Sequence, residues 1–247
     1  MPRITWSHKP HGGLRDRGYA LVRGADLDVD PAARDAQGAL ADEWNRLEPD
    51  RYLKNGASFR ERRYDRFRYL PRTRAVQLLA HRPYFQSPEA NRYAGGIHRE
   101  VAPLTRGSVA NALLNELIRF DFSQFPVDED SLDHPWEVDC HQFRTRATAR
   151  EAGEPTPEGI HRDEIDFGAI HLMERANTRG GDSRVHSESG DVLAEFRLED
   201  PLDTMFWADR DVLHSVTPTA PVDPGRPATR DILILGFTCS PGLRASD

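Results

Sequence analysis

Three residues of this 247-residue chain have types and spacing that point most directly to chemistry: His161, Asp163 and His214. His161 and Asp163 stand two apart, so on extended backbone their side chains leave the same face. His214 lies in the strand-like run Arg-Asp-Val-Leu-His-Ser-Val (210–216), just before the turn-rich 217–227. Two imidazoles and one carboxylate form the ligand set of a mononuclear iron(II) centre that leaves other positions open for a cosubstrate and dioxygen. Zinc is the rival metal, because the same donors with an open fourth position suit a hydrolase. No His-Glu-x-x-His supports that rival. His98, His134, His141, His171 and His186 compete for the role, and each reads as a surface or hydrogen-bonded histidine.

An iron centre that uses a 2-oxo dicarboxylate needs a fixed cation for the far carboxylate. Arginine suits this because its planar fork binds a carboxylate bidentately. Arg230 opens the apolar run Asp-Ile-Leu-Ile-Leu-Gly-Phe (231–237), and a strand paired with the one bearing His214 would turn one face into the same cavity. Arg226 is the alternative, in a Pro/Gly loop that reads as exposed. Gln142 and Arg144 share a strand face and are candidates for lining a substrate pocket, with Arg144 on a substrate carboxylate. Arg99 is a third candidate of the same kind. All three can equally be structural polar residues of a β-core.

The elements that must position these groups follow in order. Residues 18–24 form an apolar run between glycines, an early strand. Asp30-Pro31 starts a helix carrying Leu40 and Trp44, and Glu48-Pro49 closes the run. From Arg60 to Tyr69, arginines alternate imperfectly with aromatics, as in a half-exposed strand or a loop. Gly95-Gly96 permits a tight turn. Residues 108–120 read as an amphipathic helix with Ser108 as N-cap and Ala112, Leu113, Leu117 and Phe120 on one face. From Trp136 onward strand-like runs recur at 137–144, 167–174, 192–198, 204–207 and 231–238. The expected class is α+β with a mainly β core, sandwich or jelly-roll in type, and flanking helices. We expect one domain over 1–247, its helix-rich first half packed on a β-core from about 136–240.

Composition narrows the partners. The formal net charge is −7, from 33 basic and 40 acidic residues, which argues against nucleic acid. Arg60, Arg62, Arg63, Arg66 and Arg68 cluster, and read as a solvated basic face. Cys140 and Cys239 form no C-x-x-C and suit a reducing compartment. The polar residues 1–17 lack a signal-peptide core, and no apolar run approaches the roughly 20 residues of a membrane span. These features predict a cytoplasmic protein with a small-molecule substrate and no membrane partner; a homodimer is compatible with them.

Several motifs in order carry a resemblance. They are Pro-Thr-Pro-Glu-Gly-Ile-His-Arg-Asp (155–163), Asp-Phe-Gly-Ala-Ile-His-Leu (166–172), Arg-Ala-Asn (175–177), Gly180-Gly181, His-Ser-Val-Thr-Pro (214–218) and Arg-Asp-Ile-Leu-Ile-Leu-Gly-Phe (230–237). Cys-His-Gln-Phe-Arg (140–144) and Gly-Gly-Ile-His-Arg (95–99) add to them. Together they resemble the iron(II)/2-oxoglutarate dioxygenases typified by bacterial L-isoleucine 4-hydroxylase. The likeness is dense over 138–237, thinner over 60–103 and absent before that. It implies a double-stranded β-helix, with His161, Asp163 and His214 on iron(II) and Arg230 on the cosubstrate 2-oxoglutarate. It also implies dioxygen-dependent hydroxylation of an unactivated C–H in a free aliphatic amino acid or derivative, yielding succinate and carbon dioxide. Desaturation or cyclisation at the same site is the alternative, as is a non-catalytic cupin-like module binding a metal or small acid. Two positions depart from the family pattern: Glu164 replaces a frequent Gly after the metal-binding Asp, and His186 stands where an aromatic residue is frequent. Beside the metal, Glu164 either faces the substrate and pairs with a cationic group or points to solvent.

Overall fold

The computed structural model describes residues 3–6 and 13–240. Residues 1, 2 and 7–12, on which much of the leader-peptide expectation rests, lie outside the described residues.

Four long strands form the frame: Arg60–Leu70, Trp136–Ala147, Phe167–Ala176 and Ala228–Cys239. They belong to an antiparallel eight-stranded sheet. Its order runs Tyr19–Val22, Thr204–Ala208, Phe167–Ala176, Ala228–Cys239, Trp136–Ala147, Arg60–Leu70, Glu48–Pro49, with Ala75–Leu78 also paired to Arg60–Leu70. A smaller sheet runs Val192–Phe196, Ser183–His186, Leu213–Val216. Period-two alternation gives the large sheet two different faces. Val138, Cys140, Leu233, Leu235 and Phe237 pack with Leu113, Leu114 and Leu117 on the helical side. Ile170, Leu172 and Ile232 pack with Val185 of the small sheet on the other. This is the expected jelly-roll core with flanking helices.

Two of the helices are set by side-chain caps. Asp30 accepts from Ala32 N at 2.9 Å and starts Pro31–Asp42 with proline at the first position. The expected helix over 108–120 is divided. Arg106–Ala110 is capped by Thr105, and Asn111 then accepts from Leu113 N and Leu114 N to start Ala112–Phe122. Ser108 is therefore not an N-cap; it is buried and donates to Gln142 Oε1 at 3.2 Å.

The β-core also begins well before residue 136. Arg60–Leu70 pairs along most of its length with Trp136–Ala147, which makes it an interior strand rather than a half-exposed one. Arg60, Arg62, Arg66 and Arg68 are consequently buried, which corrects the solvated basic face. Burial of such groups requires partners, and Arg60 and Arg62 reach Asp50 while Arg66 reaches Glu137. Among the described residues, no helix is long and apolar enough to cross a membrane.

Candidate active site

His161 and His214 are brought together by backbone. Each N–H donates to the other's carbonyl at 3.1 Å, an isolated antiparallel bridge that sets the imidazole centroids 4.3 Å apart. Asp163 lies between them, with Oδ1 3.5 Å from His161 Nε2 and Oδ2 3.4 Å from His214 Nε2. One donor atom from each of the three residues falls within 4.8 Å of the others. His161 Nδ1 donates to the Gly159 carbonyl at 3.0 Å, so its Nε2 is the nitrogen aimed at the cluster.

The electrostatics favour a cation. Burial opposes charge on His161, but Asp163, Glu158 and the Gly159 carbonyl outweigh it and push the imidazole up to about 9. Burial raises Asp163, yet the two histidines hold its carboxyl well below the usual carboxylate range. A metal ion is the natural replacement for the protons shared here.

A shell of further residues holds this geometry. Asp209 accepts from the backbone N–H groups of Asp163, Glu164 and Ile165, and from Trp207 Nε1 at 3.1 Å. Trp207 also lies against the His214 ring, with centroids 4.8 Å apart. Gly168 makes room for that indole, since a Cβ there would sit 2.1 Å from it. Gln86 ties the site to the segment before it: Nε2 approaches Asp163 Oδ1 at 3.4 Å, while Oε1 accepts from Arg99 at 2.7 Å.

The triad faces a cavity between the two sheets, and Arg230 projects into it. Arg230 is 0% exposed, and among the described residues its Nε, Nη1 and Nη2 all lack a hydrogen-bond partner. Burial, with Arg175 nearby, pushes it down to about 10, so it stays cationic at neutral pH. Gly181, at φ +70°, lets the backbone pass close by, as a Cβ would lie 3.2 Å from Arg230 Cδ. A buried, unpaired guanidinium beside a three-donor metal cluster suits a chelating dicarboxylate. Arg226 is exposed and pairs with Asp223, which removes the alternative anchor.

The substrate candidates divide. Arg99 is buried, lines the cavity and stacks over Tyr84 at 4.6 Å. Gln142 and Arg144 are on the wrong face: Gln142 meets Ser108, and Arg144 is bound bidentately by Asp231 at 2.8 and 2.6 Å. The cavity face of that strand is the other parity, Asp139, His141, Phe143 and Thr145. Sequence gives no parity signal here, because both faces are covered, one by helices and one by the cavity. Glu164 also differs from the substrate-facing expectation. It is exposed at φ 62°, and its carboxylate accepts from Ser87 N and Ser87 Oγ, outside the cavity lining. His186 accepts from Ser215 Oγ and donates to Gly190 O, and His171 bonds Asp121 and Thr204; neither reaches the triad.

Four further residues emerge only from the structure: Arg62, His141, Glu158 and Asp209. Arg62 Nη2 lies 3.0 Å from His141 Nδ1, and because arginine only donates, Nδ1 accepts. Burial first, then Arg62 and Arg99, hold His141 well below its ordinary value, so it is neutral with its proton on Nε2. That Arg60, Arg62 and Tyr64 share a face on extended backbone was the available signal for Arg62, and the Trp-Ala-Asp ending at Asp209 offered none.

A family model described as 2OG-Fe dioxygenase matches residues 41–236. The chain is 30% identical over 158 residues to an L-isoleucine-4-hydroxylase of Bacillus thuringiensis, spanning 63% of this chain and 65% of that one. It is 32% identical over 161 residues to a 3(1)-hydroxy-L-isoleucine 4-dioxygenase of Pantoea ananatis, spanning 63% of each. The match thus covers less than two thirds of either curated relative. Among solved structures, a bsmA homolog from Methylobium petroleophilum superposes with TM-score 0.78 at 28% identity, covering 96% of this chain and 99% of that chain. IDO from Bacillus thuringiensis gives TM-score 0.75 at 22% identity over 92% of this chain and 96% of that one, a likeness of fold.

Proposed function

Because the chain belongs to the 2OG-Fe dioxygenase family, we propose that it hydroxylates an unactivated C–H of a free aliphatic amino acid or close derivative. His161, Asp163 and His214 hold iron(II), and Arg230 holds the far carboxylate of 2-oxoglutarate. The observation that carries this reading is the convergence of the three metal donors and an unpaired, buried guanidinium on one cavity. The two curated relatives are named for isoleucine chemistry, which supports an amino-acid substrate.

Bound iron(II) with 2-oxoglutarate and dioxygen supplies the oxidising chemistry, one oxygen atom going to succinate and one to the substrate, with release of carbon dioxide. The chain's own part is placement. The His161–His214 bridge and the Asp209 cradle fix the donors on one side of the cavity. Arg230 neutralises and orients the cosubstrate. Ile232, Ile234 and Phe143 give the cavity an apolar wall, which disfavours water beside the reacting groups. The large sheet draws strands from 19–22 through 228–239, which supports reading the chain as one domain. Free Cys140 and Cys239 support a cytoplasmic location, and a homodimer is tested by sedimentation.

Anaerobic mixing of the protein with iron(II) and 2-oxoglutarate should produce a weak visible charge-transfer band. In air, succinate should form in response to an amino acid. Alanine at His161, Asp163 or His214 should abolish both signals, and a fully active single variant would show the triad to be misassigned. Absence of both signals in the unaltered protein favours a non-catalytic metal- or acid-binding module.

A further inference from the structure

The cavity holds a second group of guanidiniums that neither the triad nor Arg230 explains. Arg60, Arg62 and Arg99 are 7%, 2% and 2% exposed, and all three line it. Asp50 accepts from Arg60 Nε at 2.8 Å and lies 3.5 Å from Arg62 Nη1. Arg99 meets neutral partners, the Gln86 amide and the Tyr84 ring. Nε of Arg62 and Nε of Arg99 are buried without a hydrogen-bond partner. Two of the three cations thus share the Asp50 carboxylate and the third meets neutral groups, in a place where unpaired charge is costly. Such a cluster calls for an anion from outside the chain.

Across from it stands Glu158. Its side chain is 11% exposed and lines the same cavity, with Oε1 3.4 Å from His161 Nε2. Glu158 and Arg99 both line this cavity. The cavity walls therefore carry both buried guanidiniums and a carboxylate.

Arg230 is distinct from this cluster. It pairs in register with Thr145, and Arg62 with Phe143, on opposite sides of Trp136–Ala147. Two strand spacings separate them, roughly 10 Å.

We propose that Arg62 and Arg99 bind the carboxylate, and Glu158 the ammonium group, of a free α-amino acid, so that the cluster selects substrates with both groups unmodified. This rests on the dioxygenase reading for the reaction but concerns the substrate alone. Peptides, amides and N-acyl amino acids place a neutral group where the clamp needs a charge. The His141 Nε2–H, set by Arg62, is a further donor in the same wall.

The test uses the anaerobic protein with iron(II) and 2-oxoglutarate, titrated calorimetrically with the twenty proteinogenic L-amino acids, their amides and their N-acetyl derivatives. At least one free amino acid should bind, and its amide and N-acetyl form should each bind at least tenfold more weakly. Arg99→Met and Arg62→Met should weaken the amino acid at least tenfold while the visible band and the 2-oxoglutarate requirement stay as in the parent. Glu158→Gln should erase the preference for the free over the acetylated amine. Should a variant fail to fold, the comparison of acid, amide and acetyl form on the unaltered protein still decides. Equal binding of acid and amide, binding by none of the amino acids, or arginine variants that instead raise the 2-oxoglutarate requirement would overturn the clamp. Loss of the band in the unaltered protein would instead overturn the dioxygenase reading.

Discussion

Asp209 holds Asp163 by its backbone: both carboxylate oxygens accept from Asp163 N–H, at 3.0 and 3.1 Å. The same side chain gathers the next two N–H groups, so one buried acid shapes the turn that presents the candidate metal-binding carboxylate. Asp209→Ala should therefore weaken iron(II) binding by roughly 10- to 100-fold, the range for groups that orient metal ligands. Equilibrium titration with iron(II) or manganese(II) checks it, and an unchanged affinity would make Asp209 a bystander.

Arg230→Met should lose 2-oxoglutarate affinity without losing fold. The guanidinium is fully buried and, among the described residues, without a hydrogen-bond partner, so an apolar side chain of similar length should raise unliganded stability by about 1–3 kcal/mol. Saturating 2-oxoglutarate at 100-fold over its dissociation constant should stabilise the parent by about 2.7 kcal/mol. The variant should show no such gain. Urea unfolding with and without the cosubstrate reads both effects, and a destabilised variant would mean an overlooked counter-charge.

Glu164→Gly should leave the substrate profile unchanged. The side chain is spent on Ser87 outside the cavity, and glycine relieves a backbone at φ 62°. Loss of the exposed hydrogen bonds and relief of the strain oppose each other, and the net should stay within about 1 kcal/mol. A shifted preference among amino acids would return Glu164 to the pocket.

Asp139 gives the fold a dependence on pH. Burial pushes its carboxyl up from 3.8 to about 6, although Tyr64 donates to it and favours the charged form. Between those values the folded state keeps a proton that the unfolded state has released. Stability must then fall as pH rises from about 4 to about 6 and level off above, by on the order of 3 kcal/mol. Asp139→Asn should remove that part of the slope in urea titrations from pH 4 to 7. An unaltered slope would assign the effect to another group.

Much of the site was legible because its chemistry depends on residue type and short spacing. A His and an Asp two apart share a face on any extended backbone, and an arginine at the head of an apolar strand faces one side or the other. The recurrent strand runs after Trp136 likewise announced a β-core. The misreadings share one physical cause. Arg60–Leu70 looked solvated because its charges are many, yet an interior strand can bury arginines when Asp50 and Glu137 stand opposite. Gln142 and Arg144 were placed on the cavity face because alternation shows which residues share a side, not which side is which.

By itself, the sequence offered candidate metal donors, a candidate anchor and the class of fold, because donor chemistry, short spacing and the order of motifs are all read along the chain. Tertiary structure alone decided that His161 meets His214, that Asp209 cradles the turn between them, and that Arg62, Arg99 and Glu158 face one another. Those relationships join residues far apart in the chain. Their distances are set by strand register and by which face of the sheet the helices cover, and neither is encoded in local spacing.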